Sequence, residues 1–571
     1  MAHAPLILLQ GVTGSYFTRL SLRSVAVLLL IAIACGQPAC HLVGHTAISE
    51  GRRTLQSDPS VLPGGPYVIL FAVDGAGYGQ FMDAVRSGRA THIESLLGRR
   101  TGPDLFEHGY SVPNAITIMP SCSAAAWSSI MTGRPPAETG VAGDEFFART
   151  ENRFYAPIPL SSRDSRDFVA SIDDDLLGKM LHAPTVYQRI KGASDVSLLY
   201  LYHGATAYTT LDSQALLRLL GGVVAGKLEG GTLRQSLAPL IDDGSIPEVT
   251  ETIREHGIPK LMVVYFPGVD IYAHGSPNPL PSQTEYLESN IDRDVGKVLD
   301  EYSKRGALSD TYVIFTADHG HTPVLNDREH DLGIRAGNRL FELLENIGLR
   351  VREPGLQLPA DKQDYQAVIA DEGFAAYLYL ADRSTCPKKG EPCDWRKLPR
   401  FRHDILPVLR TLFRANRRGR LIPELQGTLD LIFSRDYGSK TAERLPPFEI
   451  FNGRRLVPIR NYLSEHPRPE LVEVARRMKW LGEGPYGDRA GDIVVIAKAS
   501  MSLPIQGRYY FSYVSYFAWH GSLTLQDGHI PLIVAKSDAS GQQLKRAVEK
   551  VVDNPPSALD VTPLIESLLA H

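Results

Sequence analysis

The sequence predicts an α/β protein, a three-layer sandwich with a mostly parallel central sheet and one inserted lobe. Apolar runs of strand length recur along the chain, and such continuous runs are typical of strands buried on both faces. The runs are residues 67–73, 196–202, 261–266, 312–316, 493–497 and 530–535. Helical patterns lie between several of them, as at residues 283–302, and this alternation indicates a parallel sheet covered on both sides.

The chain has 571 residues, which is enough for one large α/β domain with an insertion. Residues 41–65 are polar, contain Gly and Pro, and are predicted to form a linker. We assign residues 66–321 and 487–571 to the two parts of the catalytic core. Residues 322–486 are long and charged and lie between two predicted core strands, so we expect them to form the inserted lobe.

The first 40 residues have the pattern of an export signal. Arg19 and Arg23 precede a ten-residue apolar run at 25–34, which would rise only about 15 Å as a helix and is too short to cross a bilayer. A positive stretch, a short apolar stretch and small residues are typical of a signal for export. The segment ending at Cys35 also resembles a bacterial lipoprotein processing site, at which Cys35 would be lipidated. We therefore predict a periplasmic or envelope protein with possible membrane anchoring, the alternative being a buried N-terminal helix.

The overall charge excludes one class of partner, and the cysteines leave one question open. A formal net charge of −4 and a pI near 6.5 lack the basic footprint of a nucleic-acid-binding protein. Cys386 and Cys393 bracket a polar loop, where they could form a disulfide in an oxidising compartment or remain two free thiols. No pair has the CxxC spacing of a zinc ribbon.

Three predicted strands lead into residues that can bind metal ions, and a fourth such place lies just before the strand at 530–535. In open α/β sheets the ligand site lies at the carboxyl ends of the strands, and mixed imidazole and carboxylate ligation suits Zn²⁺. An isolated Asp in such a place often caps a helix, and a lone His is often only a satisfied polar residue. Four such places in one chain favour a metal centre instead. The candidates are Asp74, Asp270, His274, Asp318, His319 and His520.

Ser123 is the candidate nucleophile. It opens a run of Ala, Trp and Ile that is typical of a helix, so its hydroxyl is expected near a helix N-terminus, where an oxyanion is stabilised. A Ser in this position is also a common N-cap. Beside a divalent metal, however, the pKa of a hydroxyl falls and the oxygen becomes a nucleophile.

Together these motifs resemble the alkaline phosphatase superfamily, in particular its branch of type I phosphodiesterases and nucleotide pyrophosphatases. That branch has Asp-Gly, Ser/Thr-x-x-x-Trp-Ser-x-x-x-Thr-Gly, Asp-x-x-x-His, Asp-His-Gly and His-Gly in this chain order, and all five occur between residues 68 and 535. The resemblance implies two divalent metal ions, most typically zinc, and a phosphoester substrate, either a small molecule or a lipid headgroup. The implied ligands are Asp270, His274 and His520 for one ion, and Asp74, Asp318, His319 and Ser123 for the other. Ser123 would form a covalent phosphoserine intermediate that water then hydrolyses.

Two positions depart from this family pattern and leave the substrate open. Asp144 stands where relatives carry an Asn whose amide donates to a phosphoryl oxygen; it could be protonated, could bind a cation on the substrate, or could point away. His203 stands near the place where monoesterases carry Lys and Arg, which favours a singly charged phosphodiester over a phosphomonoester. His321 and His529 are predicted to be packing residues or to lie behind the ligands. The alternatives are a phosphonate- or sulfate-ester hydrolase on the same centre, or an inactive binding relative.

Overall fold

A computed structural model describes most of the chain. The described residues are 64–161, 166–173, 176–190, 193–196, 208–209, 233–333, 338–353, 364–439, 445–512, 514 and 516–570. The predicted export signal, Cys35 and His203 lie outside the described residues, and so does nearly all of the predicted linker. In the described part of the chain, no helix combines the length and apolarity that a membrane span needs.

The central sheet is seven-stranded among the described residues and is mostly parallel, as predicted. Its strands, in spatial order, are Gly109–Ser111, Leu532–Ala535, Thr311–Thr316, Tyr67–Val73, Leu261–Phe266, Ala193–Val196 and Tyr208–Thr209. The strand Tyr67–Val73 pairs in parallel with both of its neighbours and is buried along its whole length. Leu532–Ala535 runs antiparallel to Thr311–Thr316 and to Gly109–Ser111. Because the middle strand is covered on both faces, its apolar run is continuous rather than alternating.

Helices cover this sheet in two groups. The helices Tyr78–Arg86, Pro279–Tyr286 and Asp292–Lys304 belong to one group, and a π-helical turn, Leu287–Ile291, joins the last two within the predicted helical stretch 283–302. The helices Ser123–Thr132 and Val561–Ala570 pack against each other in the other group. The remaining α-helices described are Thr91–Leu97, Pro136–Thr139, Arg166–Asp173, Leu176–Met180, Val186–Arg189, Leu233–His256, Gly268–Gly275, Arg339–Asn346, Leu406–Arg418, Ile459–Glu465, Val474–Gly482, Leu525–Gly528 and Gly541–Val548.

A second, antiparallel sheet corrects one strand assignment. Its strands, in order, are Ala367–Glu372, Ala375–Leu380, Ile493–Ala497, Leu429–Ser434, Glu449–Phe451 and Leu456–Val457. We predicted residues 493–497 in the central sheet, but they pair with Ala375–Leu380 and Leu429–Ser434 here. A fully buried strand has the same apolar run in either sheet, so the local pattern does not identify its partner. The segment boundaries proposed above stay predictions.

Smaller features complete the described structure. Cys386 and Cys393 form a disulfide, which settles the alternative left open by the sequence. Two short antiparallel pairs join Phe146–Ala148 with Arg153–Tyr155 and Thr322–Pro323 with Ala518–Trp519. The second of these pairs matters for function, because it brings the segment before His520 alongside the segment that follows His319.

Candidate active site

The topology of the central sheet brings the predicted ligands to one edge. Asp74 directly follows the strand Tyr67–Val73, and Asp318 and His319 follow its neighbour Thr311–Thr316. On the other side of Tyr67–Val73, the strand Leu261–Phe266 leads into the short helix Gly268–Gly275. That helix carries Asp270 and His274 four residues apart, on the same face.

A first group, which we call the histidine-rich cluster, consists of Asp270, His274, His321 and His520. Their ligand atoms all lie within 4.8 Å of one another. Oδ1 of Asp270 is 3.2 Å from Nε2 of His274, 3.0 Å from Nε2 of His321 and 3.8 Å from Nε2 of His520. The cluster thus unites the three residues predicted for one ion with a fourth, His321, that the sequence argument had placed behind the ligands.

A second group, which we call the carboxylate-rich cluster, consists of Asp74, Asp318, His319 and Ser123. Nε2 of His319 is 3.2 Å from Oδ2 of Asp318, 3.7 Å from Oδ1 of Asp74 and 3.3 Å from Oγ of Ser123. Oγ of Ser123 is 3.5 Å from Oδ1 of Asp74. The rings of His319 and His520 stack with centroids 3.7 Å apart, so the two clusters are contiguous.

Ser123 is the first residue of the helix Ser123–Thr132, as the sequence predicted, but it is not the N-cap. The N-cap is Cys122, whose side chain makes no capping hydrogen bond. The hydroxyl of Ser123 is therefore directed toward Asp74 and His319 instead of serving as the cap. The helix ends before Gly133, whose φ of +64° is left-handed.

Each of the four histidines turns Nδ1 toward a backbone carbonyl. The distances are 2.8 Å from His274 to Ala518, 3.1 Å from His319 to Gly320, 3.1 Å from His321 to Gly75 and 3.0 Å from His520 to Ser121. Since a carbonyl oxygen only accepts, these contacts favour a proton on Nδ1. The Nε2 atoms then face the two clusters, and this is how metal-binding imidazoles are usually oriented.

Asp74 is held by two donors outside the clusters. The indole Nε1 of Trp127 donates to its Oδ2 over 2.9 Å, and the hydroxyl of Tyr265 donates to the same oxygen. Oδ1 is thereby left for Ser123 and His319. Trp127 belongs to the predicted motif, but Tyr265 was not predicted, because it lies next to last in an apolar strand run and looks like an ordinary core residue there.

The electrostatics of the site fit a bound cation. Burial, followed by repulsion from Asp318 and Asp270, raises the pKa of Asp74 well above its ordinary value. Burial raises the pKa of Asp318 to about 8. Burial also lowers the pKa of His319 to about 3 and that of His520 well below its ordinary value, so both rings are neutral, the form that binds metals. A divalent cation among these carboxyls would stabilise their ionised forms.

An orphaned polar atom gives a second test of fit. Oδ2 of Asp318 is buried and makes no hydrogen bond. Buried polar atoms are seldom left unpaired, because desolvation without compensation is costly. This oxygen lies 3.2 Å from Nε2 of His319 in the carboxylate-rich cluster, where metal coordination would satisfy it.

Asp144 lies beside the start of the Ser123 helix and is buried. Its Oδ1 accepts from the backbone N–H of Ala124 over 2.9 Å, and its own N–H donates to Glu372 over 2.8 Å. Burial raises its pKa to about 7. Its carboxylate thus faces the start of the Ser123 helix. Glu372, which was not predicted from the sequence, ends a strand of the second sheet, so that sheet supports the surroundings of Ser123.

Comparison with known proteins identifies the family to which the chain belongs. The family model for type I phosphodiesterase / nucleotide pyrophosphatase matches residues 68–372, more than half of the chain. The chain belongs to this family. It is therefore a phosphoester hydrolase of the alkaline phosphatase superfamily. No curated protein sequence gives a significant match.

Among similar solved structures, an alkaline phosphatase supports the fold of this phosphodiesterase-family protein. A mutant of the alkaline phosphatase PafA aligns with a TM-score of 0.52 and 15% identity, over 89% of this chain and 96% of that one. Murine ectonucleotide pyrophosphatase / phosphodiesterase 5 in complex with AMP aligns with a TM-score of 0.46 and 13% identity, over 89% and 95%. Phosphonoacetate hydrolase from Sinorhizobium meliloti 1021 aligns with a TM-score of 0.46 and 16% identity, over 88% and 95%. At these identities the alkaline phosphatase likeness establishes the α/β fold and nothing finer.

Proposed function

We propose that the protein hydrolyses phosphoric esters at a two-cation site, with Ser123 as the nucleophile. The observation that carries the proposal is the convergence of six metal-binding side chains and the Ser123 hydroxyl at one edge of the sheet. Asp270, His274 and His520 would hold one ion, and Asp74, Asp318 and His319 would hold the other, beside Ser123. Two divalent ions, most typically Zn²⁺, supply Lewis acidity and lower the pKa of a nearby hydroxyl or water.

In this reaction Ser123 Oγ attacks phosphorus, and the bond from phosphorus to the leaving oxygen breaks. A phosphoseryl enzyme results, and water then cleaves the bond between phosphorus and Oγ. Asp74 keeps Oγ in place from one side, because Trp127 and Tyr265 fix the carboxylate that faces the hydroxyl. The helix N-terminus behind Ser123 favours the negative charge of the transferred group.

We further propose a preference for singly charged diesters over dianionic monoesters. Among the described residues, the salt bridges of Asp74, Asp270 and Asp318 come from histidines alone. Asp144 occupies the N–H of Ala124 and, when ionised, repels a second negative charge on the substrate. Phosphonate or sulfate esters remain the alternative substrates of the same centre.

Rate measurements on p-nitrophenyl phosphate and bis-p-nitrophenyl phosphate test both parts of the proposal. We expect the diester to be hydrolysed with the higher kcat/KM and Ser123→Ala to abolish hydrolysis of both. Ser129→Ala is the matched control, since its hydroxyl is buried on the same helix without a hydrogen bond. Undiminished activity of Ser123→Ala would exclude this mechanism, and a higher rate on the monoester would exclude the diester preference.

A further inference from the structure

The helix Leu406–Arg418, which packs against the second sheet, has one strongly basic face. Because successive residues of an α-helix are rotated by about 100°, four of its exposed arginines fall within an arc of roughly 100°. These are Arg410, Arg414, Arg417 and Arg418. The opposite side of the helix carries the buried residues Val408, Leu409, Leu412 and Ala415, which belong to the apolar core under the sheet. The helix therefore turns four guanidinium groups outward.

A hairpin turn from a later part of the chain extends this basic face. The turn joins the strands Glu449–Phe451 and Leu456–Val457 and exposes Arg454 and Arg455. A Cβ at Gly453 in this turn would lie only 2.4 Å from Cε1 of Phe413 on the helix, and the φ of +93° also favours glycine. The glycine thus lets the turn lie directly against the helix. Arginines from two distant segments consequently share one surface.

We call this surface the arginine ridge. It consists of Arg410, Arg414, Arg417, Arg418, Arg420, Arg454 and Arg455. None of these side chains forms a salt bridge or hydrogen bond within the part of the chain that the structure describes. Other arginines of the same region, such as Arg383, Arg400 and Arg468, are paired with carboxylates. Since the whole chain has a net charge of −4, the ridge is a local excess of the opposite sign, and an anionic partner would relieve its self-repulsion.

One apolar side chain projects from the same surface. Leu421 follows Arg420, and 47% of it is exposed. Its φ of +72° is left-handed, a conformation that branched residues rarely adopt. A leucine exposed beside arginines suits the boundary between lipid headgroups and acyl chains, where cations meet phosphates and apolar groups are buried. The phosphate backbone of a nucleic acid offers no such apolar layer.

We propose that the arginine ridge docks the protein on an anionic phospholipid surface. Guanidinium groups bind phosphate oxygens in pairs of parallel hydrogen bonds, so the ridge would contact lipid phosphates while Leu421 enters the layer beneath them. The ridge contains none of the proposed metal ligands. Docking and hydrolysis can therefore be measured separately, and the failure of one proposal would leave the other standing.

Cosedimentation of the full-length protein with vesicles tests the proposal. We expect vesicles of mixed phosphatidylcholine and phosphatidylglycerol to bind the protein at least about tenfold more tightly than vesicles of phosphatidylcholine alone, and added salt to weaken this binding. Arg417→Glu/Arg454→Glu takes one arginine from each segment. It should weaken binding to the anionic vesicles by more than about 20-fold, because each arginine near such a surface contributes about fivefold. Leu421→Ser should weaken binding several-fold and leave its dependence on salt unchanged.

Arg305→Glu/Arg546→Glu is the matched control, since it changes the net charge equally at two exposed arginines outside the ridge. We expect this variant to bind the anionic vesicles like the wild type. Every variant keeps the same N-terminal segment, so an anchor there would contribute equally to all of them. Each should also hydrolyse bis-p-nitrophenyl phosphate in solution at the wild-type rate, which shows that the fold is intact.

Three outcomes would overturn the proposal. The first is wild-type binding that does not distinguish anionic from neutral vesicles. The second is an equal loss of binding in the ridge variant and the control variant, which would reflect net charge alone. The third is tighter binding to a DNA duplex than to the anionic vesicles, lost in Arg417→Glu/Arg454→Glu, which would assign the ridge to nucleic acid.

Discussion

The histidine-rich and carboxylate-rich clusters adjoin, yet they differ in charge. The first places a single carboxylate, Asp270, among imidazoles, and although burial opposes its ionisation, His274 and His321 bring its pKa well below the ordinary value. The second places Asp74 and Asp318 together, and burial raises the pKa of both. Repulsion from Asp318 and Asp270 adds to the effect at Asp74, and repulsion from Asp270 adds to it at Asp318. The ionised form of the carboxylate-rich cluster, beside Ser123, therefore depends most on a bound cation. Because protons compete with that cation for the carboxyls, we expect its ion to be the more easily displaced and the more sensitive to pH.

The largest effect should come from the nucleophile itself. Ser123→Ala removes the oxygen that attacks phosphorus but leaves every proposed Asp and His ligand in place. We expect kcat on bis-p-nitrophenyl phosphate to fall on the order of 10³-fold or more, as for other covalent nucleophiles. Metal analysis of the same preparation should still find about two ions per chain. If Ser123→Ala lost both ions along with activity, the fall in activity would come from the loss of metal and not from the loss of a nucleophile.

A reciprocal pair of variants tests whether the clusters hold separate ions. Asp318→Asn should release the ion of the carboxylate-rich cluster, and His520→Ala that of the histidine-rich cluster, because each removes a ligand from one cluster. Metal analysis after dialysis should find about one ion per chain in each case, and activity should fall on the order of 10²-fold. Retention of two ions by both variants would contradict the division into two clusters.

A lower pH should weaken metal binding more at the carboxylate-rich cluster than at the histidine-rich cluster. Asp318, with its pKa raised to about 8, and Asp74 must lose protons before a cation binds them, so protons compete there below about pH 8. Asp270 is already ionised and His520 already neutral in that range, because their pKa values lie well below the ordinary ones. In the same cluster, burial opposes protonation of His321, but the hydrogen bond and charge of Asp270 raise the pKa of its ring. As pH falls from 8 to 6, we expect the carboxylate-rich cluster to lose affinity by about tenfold per unit for each proton displaced. Equal losses at the two clusters, measured by chelator competition, would count against this difference.

Removal of a hydrogen-bond donor to Asp74 should have a smaller effect, confined to the carboxylate-rich cluster. Tyr265→Phe removes one of two donors to its Oδ2, and we expect the affinity of the carboxylate-rich cluster for zinc to fall about 10–100-fold. The histidine-rich cluster should not change. Tyr302→Phe is the control, since that buried hydroxyl makes no hydrogen bond. Equal affinities for Tyr265→Phe and wild type would show that Trp127 alone suffices to hold Asp74.

Ionisation of Asp144 should have the smallest effect on kcat/KM, and only above neutral pH. Because burial raises its pKa to about 7, the carboxyl is neutral below that pH and becomes an anion above it. Repulsion of the substrate should then lower kcat/KM of the wild type by up to about tenfold between pH 6 and 8. Asp144→Asn cannot ionise and should lack this part of the decline. The same pH profile in both proteins would mean that Asp144 does not contact the substrate.

Much of this site could be predicted from the sequence, because its residues follow buried strands or open a helix. Ser123 begins its helix as predicted, and Asp74, Asp318 and His319 follow the expected strands. Contacts between distant segments could not be predicted in the same way. His321 carried no signal beyond its spacing from His319, and its place depends on the approach of Gly75 and Gln283 from elsewhere in the chain. The strand Ile493–Ala497 was misplaced for the same reason, since its partners are set by tertiary structure.

The stereochemistry of hydrolysis tests the central claim most directly. A chiral phosphorothioate diester hydrolysed in ¹⁸O-labelled water reports how many displacements occur at phosphorus. Attack by Ser123 followed by attack by water inverts the centre twice, so the account predicts net retention of configuration. Net inversion would mean a single direct attack by water and would contradict the role of Ser123 as nucleophile.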